Sequence, residues 1–333
     1  MDTAAPLAPS PTIGDIEAAA RRLAGKAVRT PLLESPLLND RLGRRLLVKA
    51  EPLQRTGSFK FRGAYAKMSL IPADRRPAGV VAYSSGNHAQ GVAAAARLLG
   101  MPATIVMPKD APAIKQRNTE AWGARIVLYD RYSEDREAIG AALTRESGAT
   151  LVPPYDDVEI IAGQGTIGLE MAEQLAGADA EPAAILVCCG GGGLVAGTSL
   201  ALSVRLPGVP VYAVEPEGFD DTARSLAADE RLGNDPEARS ICDALLSPMP
   251  GAITLPINRR TLSGGLAVSD DEVRRAMAVA FETLKLVVEP GGAVALAAAL
   301  SGKAPAGDEP LAIVCSGGNV DAGQFAEILR DYS

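Results

Sequence analysis

Four consecutive glycines, residues 190–193, lie between the apolar run AAILVCC and a segment of helical composition, LVAGTSLALSVRL. We refer to these four residues as the glycine turn. Glycines leave backbone N–H groups uncovered, and the start of a helix adds a field that favours an anion. A phosphate group suits this arrangement best. The alternative is a tight turn between a strand and a helix, which rarely requires four glycines in succession.

A second turn of this kind, residues 84–88 (SSGNH), follows the apolar run VVAY and precedes the segment AQGVAAAARLLG. We refer to it as the serine turn. Its two hydroxyls, one amide side chain and free N–H groups at a helix start could bind a carboxylate. On this segment alone, ordinary helix capping by serine or asparagine explains the residues equally well. His88 is the single histidine of the chain, so a His-rich metal site is excluded.

Residues 163–168 (GQGTIG) match the dinucleotide-binding pattern G-x-G-x-x-G by letter, but their context does not fit it. The preceding DDVEIIA is a poor buried strand. An acid should follow about twenty residues later to contact a ribose, and that stretch holds Val187, Cys188 and the glycine turn instead. We therefore do not expect NAD to bind here.

Lys60 lies between two phenylalanines in SFKFRG. Such a lysine is commonly a surface residue whose neighbours pack into the core. Alternatively, an amine removed from water has a lowered pKa and can form a Schiff base with an aldehyde. Spacing alone does not decide between these two interpretations.

The elements that would position these residues alternate between strands and helices from about Leu46 onward, which predicts parallel sheets covered by helices. The predicted strands are residues 45–50, 79–83, 103–108, 125–129, 184–189, 211–214 and 311–315. The predicted helices are residues 63–70, 89–99, 113–122, 134–146, 166–174, 196–206, 270–285 and 293–300. Gly100 and Gly123 are expected to end helices, and Ser269 with Glu272 forms a capping box.

The composition points to a globular protein of 333 residues without nucleic-acid or membrane partners. The net charge is −7 and aromatic residues make up 4%, so the chain has neither a basic stripe for phosphates nor many rings for stacking bases. No apolar run reaches membrane-spanning length, and the amino terminus is not a secretory signal. The four cysteines lack C-x-x-C spacing. These features together predict a reduced, cytoplasmic protein.

Six motifs occur in the order and spacing of fold-type II pyridoxal-phosphate (PLP) enzymes: SFKFRGAY, SSGNHAQG, AGQGTIGLE, CCGGGGLVAG, KLVVEPGGAVALAA and CSGGNVD. The chain most resembles the serine/threonine dehydratase and serine racemase group, from about Thr30 to Asp321. The resemblance implies the α/β fold of the tryptophan synthase β-like enzymes, with two parallel-rich sheets and helices on both faces. Residues 1–79 and 153–333 would form a large PLP-binding domain, and residues 80–152 a small inserted domain. It also implies a homodimer.

The resemblance also implies roles for individual residues. Lys60 would hold PLP as a Schiff base, Phe59 would pack against its ring, Asn87 would bind its 3-oxygen, and Ser316 would meet its pyridine nitrogen. The residues that would bind the phosphate are Gly190, Gly191, Gly192, Gly193 and Leu194. The residues that would bind the substrate carboxylate are Ser84, Ser85, Gly86, Asn87 and His88. Ser85 would also be the acid or base on the ring face opposite Lys60.

The segment EPEGFDD, which starts at Glu215, resembles the divalent-cation site of the same group. The matching ligands would be Glu215, the backbone carbonyl of Phe219 and Asp221, which suit Mg²⁺ or Ca²⁺. The alternative is a solvated acidic turn after a strand.

Three hypotheses about function follow. The first is a PLP-dependent ammonia-lyase that converts L-threonine, L-serine or a related 3-hydroxy amino acid to a 2-oxo acid and ammonia. The second is an amino-acid racemase, such as a serine racemase, that uses Lys60 and Ser85 on opposite faces. The third is a non-catalytic protein that binds a small molecule on this scaffold. The segment from Cys242 to Ala244 departs from the family's usual A-D-G, so the identity of the substrate is open.

Overall fold

The computed structural model describes residues 10–332 and contains two sheets that are almost entirely parallel. The strands are β1 Leu32–Leu33, β2 Leu46–Ala50, β3 Val80–Tyr83, β4 Ala103–Pro108, β5 Arg125–Tyr129, β6 Thr150–Leu151, β7 Ala184–Cys188, β8 Val211–Pro216, β9 Gly264–Val268 and β10 Leu311–Cys315. The six-stranded sheet has the order β1-β2-β10-β7-β8-β9, and the four-stranded sheet has the order β5-β4-β3-β6. Only the two-residue edge strand β1 pairs antiparallel.

Helices cover both sheets. They are α1 Ile13–Leu23, α2 Pro36–Leu42, α3 Lys60–Met68, α4 Asn87–Leu99, α5 Ala113–Ala121, α6 Arg136–Ser147, α7 Val158–Gly177, α8 Gly193–Arg205, α9 Asp221–Ala228, α10 Thr254–Thr261, α11 Asp270–Val279, α12 Pro290–Leu300 and α13 Ala322–Tyr332. Short 3₁₀ turns occupy Glu51–Leu53, Arg76–Ala78 and Asp243–Leu245, and one π-helical turn follows α11 at Ala280–Leu284. The predicted α/β architecture with parallel sheets is therefore observed.

The central strands of the six-stranded sheet are buried along their whole length. Every residue of β2, β7 and β10 is buried, as expected where helices cover both faces of a parallel sheet. All four strands of the second sheet come from residues 80–151, with β4 and β3 as the two central strands. The predicted division into a large and a small domain remains a prediction, although its proposed boundaries coincide with the ends of this sheet.

The G-x-G-x-x-G pattern lies inside helix α7, so it is not a turn between a strand and a helix. Its glycines allow helices to approach closely: a Cβ atom at Gly165 would lie 2.8 Å from the carbonyl oxygen of Gly197 in α8, and one at Gly168 would lie 2.6 Å from that of Thr198. The expectation that this motif does not bind NAD agrees with this placement. The predicted helix start at residue 166 is wrong, because Asp157 caps α7 nine residues earlier.

Several smaller predictions are also tested by the structure. Gly100 and Gly123 end helices with positive φ angles, and Ser269 and Glu272 form the capping box. The elements β1, β6, β9, α1, α2, α9, α10 and α13 were not predicted from sequence. The four cysteines are buried and unpaired. Among residues 10–332, no helix is both long enough and apolar enough to cross a membrane.

Candidate active site

A cleft forms where the carboxyl ends of β3, β7 and β10 meet the start of α3, which is the usual ligand position in open α/β sheets. The residues predicted from the resemblance to contact PLP or substrate line this cleft: Phe59, Lys60, Ser84, Ser85, Gly86, Asn87, His88, Gly190, Gly191, Gly192, Gly193, Leu194 and Ser316. They come from four separate segments of the chain. The structure therefore brings together every site residue that was predicted, apart from the three at the expected cation site.

Lys60 is the first residue of α3, and its side chain points into the cleft. Its Nζ donates to the carbonyl oxygen of Pro154 at 2.7 Å and lies 5.1 Å from the centre of the Phe59 ring. No carboxylate pairs with it among the described residues. Burial without a counter-ion disfavours the charged form and lowers the pKa of Lys60 to about 8. This lysine is therefore the desolvated amine of the functional interpretation and not a surface residue.

The glycine turn joins β7 to α8, and two of its residues must be glycine. A side chain at Gly191 would overlap the ring of Tyr155. Gly192 has a φ of 90° and a Cβ atom there would lie 2.7 Å from Thr254 Oγ1. The hydroxyl of Thr254 donates to the carbonyl oxygen of Gly191 at 2.8 Å. The turn is thus fixed from behind, and its N–H groups at the start of α8 are left for an anion.

The serine turn joins β3 to α4, which starts at Asn87. Ser84 Oγ accepts a hydrogen bond from the N–H of Gly86 at 3.0 Å, and this contact shapes the turn. The Ser85 side chain lines the cleft. The arrangement matches the glycine turn in topology, but it carries hydroxyl groups in addition to its N–H groups.

Asn87 and His88 use their side chains for contacts within the protein. Asn87 Nδ2 donates to Glu289 Oε1, and Asn87 Oδ1 accepts from Asn319 Nδ2 at 2.9 Å. His88 Nε2 lies 2.9 Å from the carbonyl oxygen of Val152, so that nitrogen carries the proton. Burial lowers the pKa of His88 to about 3, and nearby Lys60 contributes to the shift. His88 is therefore neutral.

Among the further residues that line the cleft, and that were not selected as site residues from sequence, are Lys115, Arg136, Tyr155 and Asp243. Tyr155 packs behind the glycine turn, and Arg136 lies over the Tyr83 ring with its guanidinium carbon 5.4 Å from the ring centre. None of the four belongs to a local motif. Asp243 lies in the segment from Cys242 to Ala244, which was noted from sequence only for its difference from the family's usual A-D-G.

The cleft fits PLP on its own features. It offers a shielded amine with a pKa near 8, a glycine turn that side chains would block, and a neutral hydroxyl at Ser316. PLP carries an aldehyde and a phosphate on one ring, so the aldehyde would react with the amine of Lys60 while the glycine turn binds the phosphate.

The expected cation site is less complete. Glu215 and Asp221 are both buried, and neither forms an ion pair with the described residues. Burial and mutual repulsion raise the pKa of Glu215 to about 8, and burial raises that of Asp221 to about 6. However, Glu215 already accepts hydrogen bonds from the N–H groups of Thr222 and Ala223 at the start of α9. The described residues contain no group of three or more His, Cys, Asp or Glu side chains suited to a metal ion.

The family model for pyridoxal-phosphate dependent enzymes matches residues 24–317, most of the chain. The chain belongs to this family. The predicted family and its fold-type II architecture are therefore confirmed.

The relatives of this PLP enzyme include proteins named for each of the two activities considered from sequence, ammonia-lyase and racemase. An L-threo-3-hydroxyaspartate ammonia-lyase from Pseudomonas sp is 45% identical over 95% of this chain and 98% of its own length. The crystal structure of a threonine deaminase from T.th. is 45% identical, with a TM-score of 0.88 over 93% of this chain and 99% of that one. The structure of maize serine racemase is 36% identical, with a TM-score of 0.90 over 97% and 98%.

Proposed function

We propose that this PLP-dependent enzyme is an ammonia-lyase: it eliminates water from a 3-hydroxy amino acid, and hydrolysis of the released enamine then gives a 2-oxo acid and ammonia. The observation that carries the proposal is the position of Lys60, whose buried amine lines the same cleft as the glycine turn and the serine turn. The names of the relatives at 45% identity support a lyase. Family membership and the presence of these residues argue against a non-catalytic binding protein.

Lys60, the glycine turn and the serine turn would have separate roles in the reaction. Lys60 would hold PLP covalently and the glycine turn would bind its phosphate, while PLP supplies an electron sink for the carbon that loses a proton. The N–H groups and hydroxyls of the serine turn bind the substrate α-carboxylate. Once the substrate amine has replaced it on PLP, the freed Lys60 Nζ would take the α-proton, and its pKa near 8 makes a neutral amine available close to physiological pH. The same ammonium would then give a proton to the departing hydroxyl, which leaves as water.

The experiment for this proposal is Lys60→Ala. Release of 2-oxo acid should fall by more than about 1,000-fold, because both the attachment point and the base are lost. Borohydride treatment of the natural enzyme should leave PLP bound at position 60, which peptide mass spectrometry detects. A colourless natural enzyme with no adduct at Lys60 would contradict the proposal.

Within this class, we propose that the preferred substrate carries a second carboxylate, as 3-hydroxyaspartate does. Three cationic side chains line the cleft: Lys60, Lys115 and Arg136. Lys60 is reserved for PLP, and Lys115 is paired with Asp243 and Glu289. Arg136 is half-buried and makes no ion pair with the described residues. Its planar guanidinium can bind a carboxylate with two hydrogen bonds.

Replacing Arg136 with Met tests this preference. The kcat/KM for L-threo-3-hydroxyaspartate should fall about 100-fold, because a carboxylate would enter the cleft without a counter-ion. The values for L-serine and L-threonine should change by less than about threefold, since neither has a second carboxylate. The matched control is Arg145→Met, an exposed arginine at the other end of α6. Equal losses for all three substrates would contradict a specific role for Arg136.

Racemisation is the second candidate, because maize serine racemase aligns with 97% of the chain and Ser85 lines the cleft with Lys60. Ser85 would then exchange a proton on the face opposite Lys60. Chiral analysis of the unreacted substrate separates the two activities. Ser85→Ala should abolish any inversion while 2-oxo acid formation stays above about one tenth of its starting rate.

We further propose a cytoplasmic homodimer that binds Mg²⁺ or Ca²⁺ at Glu215, Asp221 and the Phe219 carbonyl. The support for the cation is two buried carboxylates that have no cationic partner among residues 10–332; within the same residues, Oδ2 of Asp221 has no hydrogen bond. Millimolar Ca²⁺ should raise the melting temperature by about 3 °C, an effect that Asp221→Asn should remove. For the homodimer, light scattering of the purified enzyme should give a molecular mass twice that of one chain.

A further inference from the structure

Lys115 lies directly beneath the serine turn. It belongs to α5, and only 2% of its side chain is exposed. A side chain at Gly86 would overlap Lys115 Cδ, so the backbone of the turn rests on the aliphatic part of this lysine. A lysine is almost never fully buried unless its charge is paired, so the position of the Nζ atom must be fixed by partners.

Two carboxylates provide that pairing. Lys115 Nζ donates to Asp243 Oδ2 at 2.8 Å and lies 2.9 Å from Glu289 Oε2. Along the chain, Lys115 lies in the segment that connects β4 to β5, two strands of the four-stranded sheet. Asp243 and Glu289 lie in segments that connect strands of the six-stranded sheet. The ion pairs therefore join the parts of the chain that form the two sheets, directly beside the cleft.

Glu289 carries the connection back to the serine turn. Its other oxygen, Oε1, accepts a hydrogen bond from Asn87 Nδ2, and Asn87 directly follows Gly86. The turn is thus held from below by the Lys115 stem and at its helix end by the carboxylate that pairs with the same lysine. A buried ion pair that loses one partner leaves an uncompensated charge, so these contacts depend on one another.

We propose that Lys115 is a positioning residue that holds the serine turn in the conformation that binds the substrate α-carboxylate. The inference rests on the carboxylate role proposed above for that turn. Lys115 acts through the backbone of Gly86 and through Glu289, because both of its own ion-pair partners belong to the protein. Affinity for the carboxylate of a ligand should therefore depend on Lys115, and affinity for its amine should not.

The test uses the PLP-loaded enzyme with L-alanine, which has no β-leaving group, and ethylamine, which is alanine without its carboxylate. Dissociation constants are measured by titration calorimetry. Lys115→Met keeps the aliphatic stem and removes the charge, and it should weaken L-alanine binding about 10-fold while ethylamine changes by less than about twofold. The PLP content, read from absorbance, should be unchanged.

The control is Lys109→Met, an exposed lysine of the same segment that forms no ion pair with described residues; both affinities should be unchanged. Asp243→Asn removes one of the two ion pairs at a side chain that is 34% exposed, so it provides a milder variant if Lys115→Met does not fold. It should weaken L-alanine binding about threefold and leave ethylamine unaffected.

The outcomes separate this inference from the proposed function. If the natural enzyme binds both ligands equally, the proposed carboxylate role of the serine turn is wrong, and the role of Lys115 is wrong with it. If the natural enzyme prefers L-alanine and the Lys115 and Asp243 variants keep that preference unchanged, only the inference about Lys115 is overturned. An equal loss for both ligands also overturns it, because it indicates general loosening of the cleft.

Discussion

The glycine turn and the serine turn share one design, a loop after a parallel strand and before a helix, yet they are supported differently. The glycine turn is held by uncharged contacts, the Tyr155 ring and the Thr254 hydroxyl, and Thr254 belongs to a helix beside α8. The serine turn is held by a buried charge, because Lys115 reaches it from the four-stranded sheet and pairs with carboxylates of the other part of the chain.

This difference suits two ligands with different residence times. A cofactor held covalently by Lys60, as proposed, would stay in place, so its phosphate would need a turn with a fixed conformation. A substrate enters and leaves, and its turn is supported by ion pairs that join the parts of the chain forming the two sheets. The attraction between packed uncharged groups is lost when they move apart by a small distance, whereas the attraction between opposite charges decreases gradually with distance.

Gly191→Ala should produce the largest effect that separates the two turns. The added methyl group would overlap the Tyr155 ring, so the glycine turn must move. The affinity for PLP, measured by titrating cofactor-free enzyme, should fall about 100-fold, which corresponds to the upper range for an overpacked site. The effect on affinity for an amino acid, measured at saturating PLP, should be small. If PLP affinity is unchanged, the glycine turn is not the phosphate site.

Gly86→Ala is the matching change in the serine turn. Its methyl group would overlap Lys115 Cδ, and the ammonium of Lys115 is held by two ion pairs and cannot easily retreat. The KM for a 3-hydroxy amino acid should rise about 30-fold, while PLP affinity stays within about twofold. If PLP affinity falls as much as substrate affinity, the two turns do not have separate ligands.

The pH dependence of PLP attachment tests the amine that lies between the turns. Burial lowers the pKa of Lys60 to about 8, so the reactive neutral form increases as pH rises toward 8 and then levels off. In cofactor-free enzyme, the attachment rate at pH 7 should be about tenfold below its plateau, which should be reached near pH 9. The rate for N-acetyl-lysine, with an unperturbed amine, should still rise above pH 9. A similar profile for the enzyme would show that Lys60 is not desolvated.

Thr254→Val should give the smallest effect. It removes the hydrogen bond to the carbonyl oxygen of Gly191, but that oxygen also accepts from the N–H of Gly251 at 3.2 Å. PLP affinity should fall about threefold, as expected for one partly compensated hydrogen bond. Thr254→Ser keeps the hydroxyl and should restore the original affinity. If Thr254→Ser lowers the affinity for PLP as much as Thr254→Val does, the hydroxyl of Thr254 is not what supports the glycine turn.

Elements with strong local signals were predicted well from sequence. The strands before both turns and the capping box at Ser269 were found at or within a residue of their observed positions. Helix α1 had a usable signal that was not used, because Thr12 and Asp15 form a capping box and Ile16, Ala19 and Leu23 repeat with helical spacing. By contrast, β1 and β6 have two residues each, and β9 begins with two glycines, so periodicity could not indicate them.

The sequence by itself determined the family and located the two turns and Lys60, because each of these lies in a contiguous motif that can be read from neighbouring residues. Only the tertiary structure decided how the cleft is completed. Arg136 and Tyr155 reach the cleft from segments outside the motifs. The ion pairs of Lys115 join it to Asp243 and to Glu289, and Glu289 is 174 positions away in the chain. Side chains from such distant segments meet only when both sheets have formed, and no local pattern records which of them will be neighbours.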